Sequence, residues 1–383
     1  MSTILNEAIA GKNKFYLQFG GQGAPYLKEL TGYYKEGKMS RFFETAFAAV
    51  DKAVALADGS AALPFPVELK KWLEDETSQP KDEHIAGISL GLIQLAQFAH
   101  YENLHIQGFD RSAMLKATLG MSGHSQGLIA ASFAALQLEG DAFYEGIDKY
   151  TQYLFMMGVR AQEVHPFIFA SAEEEAKAEA AGSKAPSPMV AVLGDSHETI
   201  EAMVKEINPS LPEDRRIYVS LYNTPNNRIL SSFRNSLIAF QEKFKDTLAE
   251  KGIKYVYLRT TCPFHCTLME AIKAPFAKDI EKIGFHYTGK DLKSPVISFS
   301  DGKDLRTENE LGMRMCDDLM VQPLYWDKAM APVAENSAIS HVIDFGPGKV
   351  SQRLSVDTLK GLNNETPVFA AAFAKDLKTL LAT

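Results

Sequence analysis

The chain has 383 residues, of which 46% are hydrophobic and 23% charged, with a formal net charge of −8. That length suits two structural units, or one large domain with an insert, around a real core. The acidic balance, with no block of Lys and Arg, argues against duplex nucleic acid as a partner, although a local basic patch would still be needed to hold CoA.

Phe15–Phe19 is a short apolar run that stops at Gly20-Gly21-Gln22-Gly23, which predicts a buried strand ending in a tight turn. Residues 26 to 75 are expected to be helical, with Phe42, Phe43, Phe47, Val50 and Val54 at helical spacing. A mostly apolar helix follows over 85–103. The longest uncharged run, Ala117 to Leu138, contains His124, Gln126 and Gln137 among several Gly and Ser. It reads as strand, turn and helix rather than as a membrane span. A further helix is expected over about 141–163.

Residues 166–187, rich in Ala, Glu, Ser and Pro, read as a linker. Beyond it come a strand at 188–193, a helix at 197–207, strands at 217–222 and 228–233, a helix at 237–251 and a strand at 254–259. This βαββαβ order is the ferredoxin-like split motif, with Asn223-Thr224-Pro225-Asn226-Asn227 as the turn between its middle strands. Two later apolar runs, 295–300 and 341–345, read as core strands, the second closed by Gly346-Pro347-Gly348. The expected fold class is therefore α/β. A hydrolase-like large domain with a mostly parallel sheet takes 1–183 and 261–383, and a small ferredoxin-like subdomain takes 184–260.

The three cysteines, Cys262, Cys266 and Cys316, are too few and oddly numbered for a disulfide framework, and they fit a reducing cytoplasm. Met1 to Lys14 has no apolar stretch of signal-peptide length. The expectation is a cytoplasmic protein with no membrane association.

The chemistry concentrates at Gly123-His124-Ser125-Gln126-Gly127, a G-x-S-x-G pentad between an expected strand and an expected helix. Such a turn exposes a serine at a helix N-terminus, and small flanking residues let strand and helix approach. The Gln126 N–H is placed to donate to an oxyanion. An ordinary Gly-Ser turn is the plain alternative. A serine hydroxyl needs a base, and the candidate is His265 in Cys262-Pro263-Phe264-His265-Cys266, where a structural histidine is the alternative. Cys262, His265 and Cys266 fall short of a four-ligand zinc set, and no second cluster completes one, so no metal is expected. The Gly20–Gly23 run fails as a dinucleotide loop because Tyr26 replaces its last glycine. Gly346–Lys349 fails as a P-loop because Ile343 replaces its first.

Taken together, the G-Q-G at 21–23, the G-H-S-x-G pentad, Pro263-Phe264-His265 and Asp344-Phe345-Gly346-Pro347-Gly348 resemble the acyl-CoA:acyl-carrier-protein transacylase family. The similarity is greatest to the acetyltransferase domain of fungal-type (type I) fatty acid synthase. It extends through Gly91–Leu95, Gly158-Val159-Arg160, Pro186–Met189, Val219–Asn223 and Asp301–Arg306, in order, from about residue 15 to 350.

The resemblance implies Ser125 as nucleophile and His265 as general base, with Gln22 beside the serine and Gln126 supplying an oxyanion donor. It implies that backbone carbonyls, in the stretch Gln322–Trp326, hold the histidine in place of a triad carboxylate. Asp344 is then structural. The substrate pocket is expected to draw on His124, Met157, Arg160, Asn223 and Phe264. Malonyl-specific members carry an arginine at the position matched here by Met157, so the acyl group implied is uncharged, acetyl or longer. Arg160, on nearly the same helix face, is the rival carboxylate partner, but the acetyl branch shares it. The activity implied is ping-pong transfer from acyl-CoA to the phosphopantetheine thiol of an acyl carrier protein, in fatty acid or polyketide synthesis. CoA thioester is then the substrate, no cofactor is bound permanently, and other synthase components stay open as partners. Malonyl transfer, acyl-thioester hydrolysis and a non-catalytic scaffold remain the alternatives.

Overall fold

A strand buried on both faces reads as a near-continuous apolar run; Phe15–Phe19, whose Gln18 side chain accepts from Ser355 Oγ at 2.6 Å, is buried at every position. It is β1 of nine strands found among the described residues: β2 (Thr118–Gly123), β3 (Met189–Leu193), β4 (Tyr218–Thr224), β5 (Asn227–Ser231), β6 (Lys254–Tyr257), β7 (Leu324–Tyr325), β8 (His341–Asp344) and β9 (Val368–Ala370) follow. The protein is described as a computed structural model over residues 3–23, 25–108, 110–167, 171–180 and 184–381.

The large sheet has the order β2-β1-β8-β9 and is parallel throughout. The small sheet has the order β6-β3-β5-β4-β7. Its first four strands are antiparallel in the ferredoxin-like arrangement, and β7 joins its edge parallel to β4. The expected α/β class holds, with a parallel hydrolase-like sheet and a ferredoxin-like small sheet.

The helix Ala86–Ile106 is buried on every side along most of its length, which suits its lack of a polar face. It packs on the long helix Gly140–Val164, and Gly158 makes the crossing possible. A Cβ there would lie 2.1 Å from the Ala86 carbonyl oxygen. Among the described residues no helix is long and apolar enough to cross a membrane.

Several expectations are corrected. The stretch 26–75 divides into the helices Tyr26–Glu36, Ser40–Ala57 and Leu69–Glu74. The helix expected at 237–251 is two, Arg234–Lys243 and Lys245–Glu250, because the Phe244 backbone (φ −104, ψ 14) leaves the helical region. The expected linker contains a helix, Ala172–Ala180. Ala and Glu are strong helix formers even without an apolar face. Residues 168–170 and 181–183, with the expected boundary at 183, lie outside the described residues. The five-residue turn contracts to Pro225-Asn226, since β4 continues to Thr224, which pairs with Asn227. Residues 295–300 are not a strand. They make single bridges, one from Val296 to Met121 on the edge of β2 and one from Ile297 to Asp304 in the turn that follows.

Candidate active site

The strand β2 ends at Gly123 and the helix Gly127–Ala135 begins four residues later. So sharp a reversal leaves no room for side chains at its two ends. A Cβ on Gly123 would lie 1.8 Å from the Gly127 carbonyl carbon, and one on Gly127 would lie 2.2 Å from the Phe19 carbonyl oxygen. At the apex Ser125 has φ +53, in the left-handed region that L-residues avoid. The strained turn lifts its hydroxyl over the helix N-terminus. The backbone bonds that start this helix come from the N–H groups of Gly127, Leu128 and Ile129, which leaves Gln126 N–H out of that series. The Gln126 side chain is wholly buried, and neither of its amide atoms has a partner among the described residues.

His265 meets the serine: Ser125 Oγ lies 2.8 Å from His265 Nε2. The other ring nitrogen, Nδ1, lies 3.0 Å from the Gln322 carbonyl oxygen. A carbonyl only accepts, so Nδ1 carries the ring proton and Nε2 is free to accept from the serine hydroxyl. His265 also has a left-handed backbone, φ +61. Both members of the pair are therefore held on strained backbone, the arrangement in which side-chain direction is dictated by the surroundings. Burial pushes the His265 imidazole down to about 3, against the Gln322 carbonyl, which favours the protonated form. The ring is thus neutral near pH 7.

Gln22 Nε2 donates to Ser89 Oγ at 2.8 Å, which fixes its side chain along the cleft. His124 Nε2 donates to Asn223 Oδ1 at 2.8 Å, and burial pushes His124 down to about 4. That bond spans the molecule, since His124 follows β2 of the large sheet and Asn223 lies on β4 of the small one. The two sheets enclose a cavity of about 540 Å³, lined among others by Gln22, His124, Ser125, Asn223, Phe264 and His265.

Its opposite wall is the small sheet. On β3, Met189, Ala191 and Leu193 face the cavity, while Val190 and Val192 pack away from it against the helices His197–Ile207 and Arg234–Lys243. This alternation follows from the two-residue period of a strand. The wall was missed in the sequence, although the run Met-Val-Ala-Val-Leu carried the signal: a strand apolar on both faces must cover something on each. Ser89 was missed as well, since nothing local marks it.

Two expected pocket residues lie elsewhere. Met157 is wholly buried and is not among the cavity-lining residues. Arg160 is also absent from that lining. It is turned toward Asp279, with Nε 2.6 Å from Oδ2, and toward Glu163 at 2.8 Å. Asp344 binds Gly346 N at 2.9 Å and Ser351 Oγ at 2.7 Å, as a structural residue would. Cys262 and Cys266 are buried free thiols, and burial pushes Cys266 up to about 12. Among the described residues no group of His, Cys, Asp or Glu is placed to hold a metal ion.

The family model described as "Starter unit:ACP transacylase in aflatoxin biosynthesis" matches residues 17–265. The fatty acid synthase subunit beta of Gibberella zeae is 28% identical over 366 residues, covering 91% of this chain and 17% of that protein. The chain thus spans less than a fifth of the length of the curated relatives it matches. A malonyl CoA-acyl carrier protein transacylase from Clostridium perfringens shares the fold with a TM-score of 0.66 at 18% identity, over 96% of each chain. So does a type II polyketide synthase malonyl-transacylase solved in complex with its acyl-carrier protein, at a TM-score of 0.64 and 18% identity, over 97% of this chain and 100% of that one. With the family's match running from β1 to the histidine beside Ser125, well over half of the sequence, the chain belongs to the starter unit:ACP transacylase family.

Proposed function

We propose that the chain carries an uncharged acyl group from a CoA thioester to the phosphopantetheine thiol of an acyl carrier protein, through an ester on Ser125. The observation that carries this reading is the 2.8 Å contact between Ser125 Oγ and a neutral His265 whose Nδ1–H is held by Gln322 O. In the first half-reaction Nε2 takes the serine proton as Oγ attacks the thioester carbon. Negative charge builds on the carbonyl oxygen, near Gln126 N–H and the helix N-terminus. The C–S bond then breaks, the sulfur receives the proton from His265, and acyl-Ser125 remains. The carrier's thiol reverses these steps, so no redox group or metal takes part.

The apolar wall of β3, Leu221, Ile229 and Leu258 favours an aliphatic acyl group, and the volume leaves room for one longer than acetyl. A malonyl carboxylate would need a cation in the interior. Arg160 is already paired, and the cations that line the cavity, Lys184 and Arg259, are both exposed. The carrier partner is supported by the family and by the solved transacylase–carrier complex that shares this fold.

Intact-protein mass spectrometry tests the reading. The protein is incubated separately with acetyl-CoA, longer acyl-CoAs and malonyl-CoA, beside a Ser125→Ala control. An uncharged acyl adduct on the wild type alone, discharged by added holo-carrier protein, is expected. A malonyl adduct would overturn the substrate assignment. Steady release of free CoA without an adduct would point to a hydrolase.

A further inference from the structure

His265 takes its direction from the Gln322 carbonyl, so whatever holds Gln322 acts on the imidazole. Gln322 lies just beyond the helix Leu311–Met320. Its own N–H donates to Asp317 O at 3.0 Å, and its side-chain Nε2 donates to Asp317 Oδ2 at 2.9 Å. The remaining oxygen of Asp317 is 2.6 Å from Lys273 Nζ, and Lys273 in turn is 2.7 Å from Glu270. Glu270 lies in the 3-10 helix Thr267–Ile272, which follows Cys266 and hence His265, and Lys273 begins the next helix. The contacts close a ring: imidazole, Gln322 carbonyl, Asp317, Lys273, Glu270, and back along the chain to the imidazole. A backbone bond from Cys266 N to Met320 O at 3.2 Å ties the same two segments a second time.

We infer that Lys273 and Asp317 are positioning residues for His265. They pin the Gln322 carbonyl so that Nδ1 keeps the ring proton and Nε2 faces Ser125. This rests on the reading of His265 as the general base. Both side chains are partly exposed, Lys273 at 31% and Asp317 at 26%, so their ion pair adds little to global stability. Its effect is geometric. A misplacement of about 1 Å in a reacting pair can cost about a hundredfold in rate, and a carbonyl loosened on one side supports a smaller loss, about tenfold.

The test uses the whole protein with Lys273→Met, Lys273→Arg, Asp317→Ala and His265→Ala. Acylation of Ser125 by acyl-CoA is followed by rapid-quench mass spectrometry, and the histidine tautomers by NMR on protein labelled at the imidazole nitrogens. Lys273→Met and Asp317→Ala are expected to acylate about tenfold more slowly, with KM for the carrier unchanged. Both should show mixed His265 tautomers where the wild type shows Nδ1–H alone, and Lys273→Arg should restore rate and tautomer together. If His265→Ala is inactive while Lys273→Met and Asp317→Ala match the wild type in rate and tautomer, the brace is refuted and the base assignment stands. If His265→Ala acylates as fast as the wild type, both fall together.

Discussion

Replacing Ser125 by alanine and, separately, by glycine isolates the backbone strain of the elbow. Both variants lose the hydroxyl and leave His265 Nε2 without its 2.8 Å partner, so that loss cancels between them. What differs is the Cβ. At φ +53 a residue with a Cβ sits in the left-handed region at a cost of about 1–2 kcal/mol, and glycine escapes it. Glycine gives back about 0.5–1 kcal/mol through the greater freedom of the unfolded chain. The net expectation is that the glycine variant is more stable by about 1 kcal/mol. With about 2.1 cal/mol/K of unfolding entropy per residue over this length, that raises the melting midpoint by about 1 °C. Calorimetry on the two variants at one scan rate, with denaturant midpoints as a check, resolves such a difference. A glycine variant that melts at or below the alanine variant would refute stored strain at Ser125.

Two further outcomes are expected. Because burial pushes His265 down to about 3, the imidazole stays unprotonated as pH falls below the ordinary histidine range. Acylation kcat/KM should therefore be flat between about pH 5 and 8, and an acid limb centred near 6.5 would contradict the buried setting. Arg160→Met strands the Asp279 carboxylate, which is 1% exposed, and should cost about 3–5 kcal/mol, read as a drop of several degrees in the melting midpoint. Malonyl labelling should be absent with and without the substitution, and malonyl labelling of the wild type that Arg160→Met abolishes would return Arg160 to the acyl pocket.

Local order was legible where one segment carries its own reason. The elbow is one such segment, since its serine and glycines must be contiguous. The βαββαβ order is another, because each element there has its own period. Contacts that join distant residues were not legible. Arg160 finds Asp279, Asn223 finds His124, and Gln22 finds Ser89 across long stretches of chain, and no spacing rule links them. The run 295–300 misled because burial alone cannot separate a strand from an irregular segment. Here the chain's backbone bonds to β2 are Met121 N to Pro295 O and Ile297 N to Met121 O, with Ser122 Oγ donating to Ile297 O beside them. Two-residue β7 is too short for any pattern. The site shows the same division: the residue types at 125 and 265 were readable, whereas the main-chain carbonyl that orients His265 is encoded by no residue type and was expected at Gln322–Trp326 from the family resemblance alone.

The pairing of β7 with β4 has a mechanical consequence. Leu324 and Tyr325 extend the small sheet, while Gln322, two residues earlier, steadies the imidazole. Tyr325 also stacks on Tyr222 of β4, with ring centroids 4.6 Å apart. The small lobe is thus fastened to the strap that holds the His265 imidazole, and its outermost strand is on loan from the other lobe. Parting the lobes like jaws would peel β7 from β4 and drag the imidazole away from the serine. So tied, the contact between Ser125 and His265 lasts only as long as the two lobes stay together.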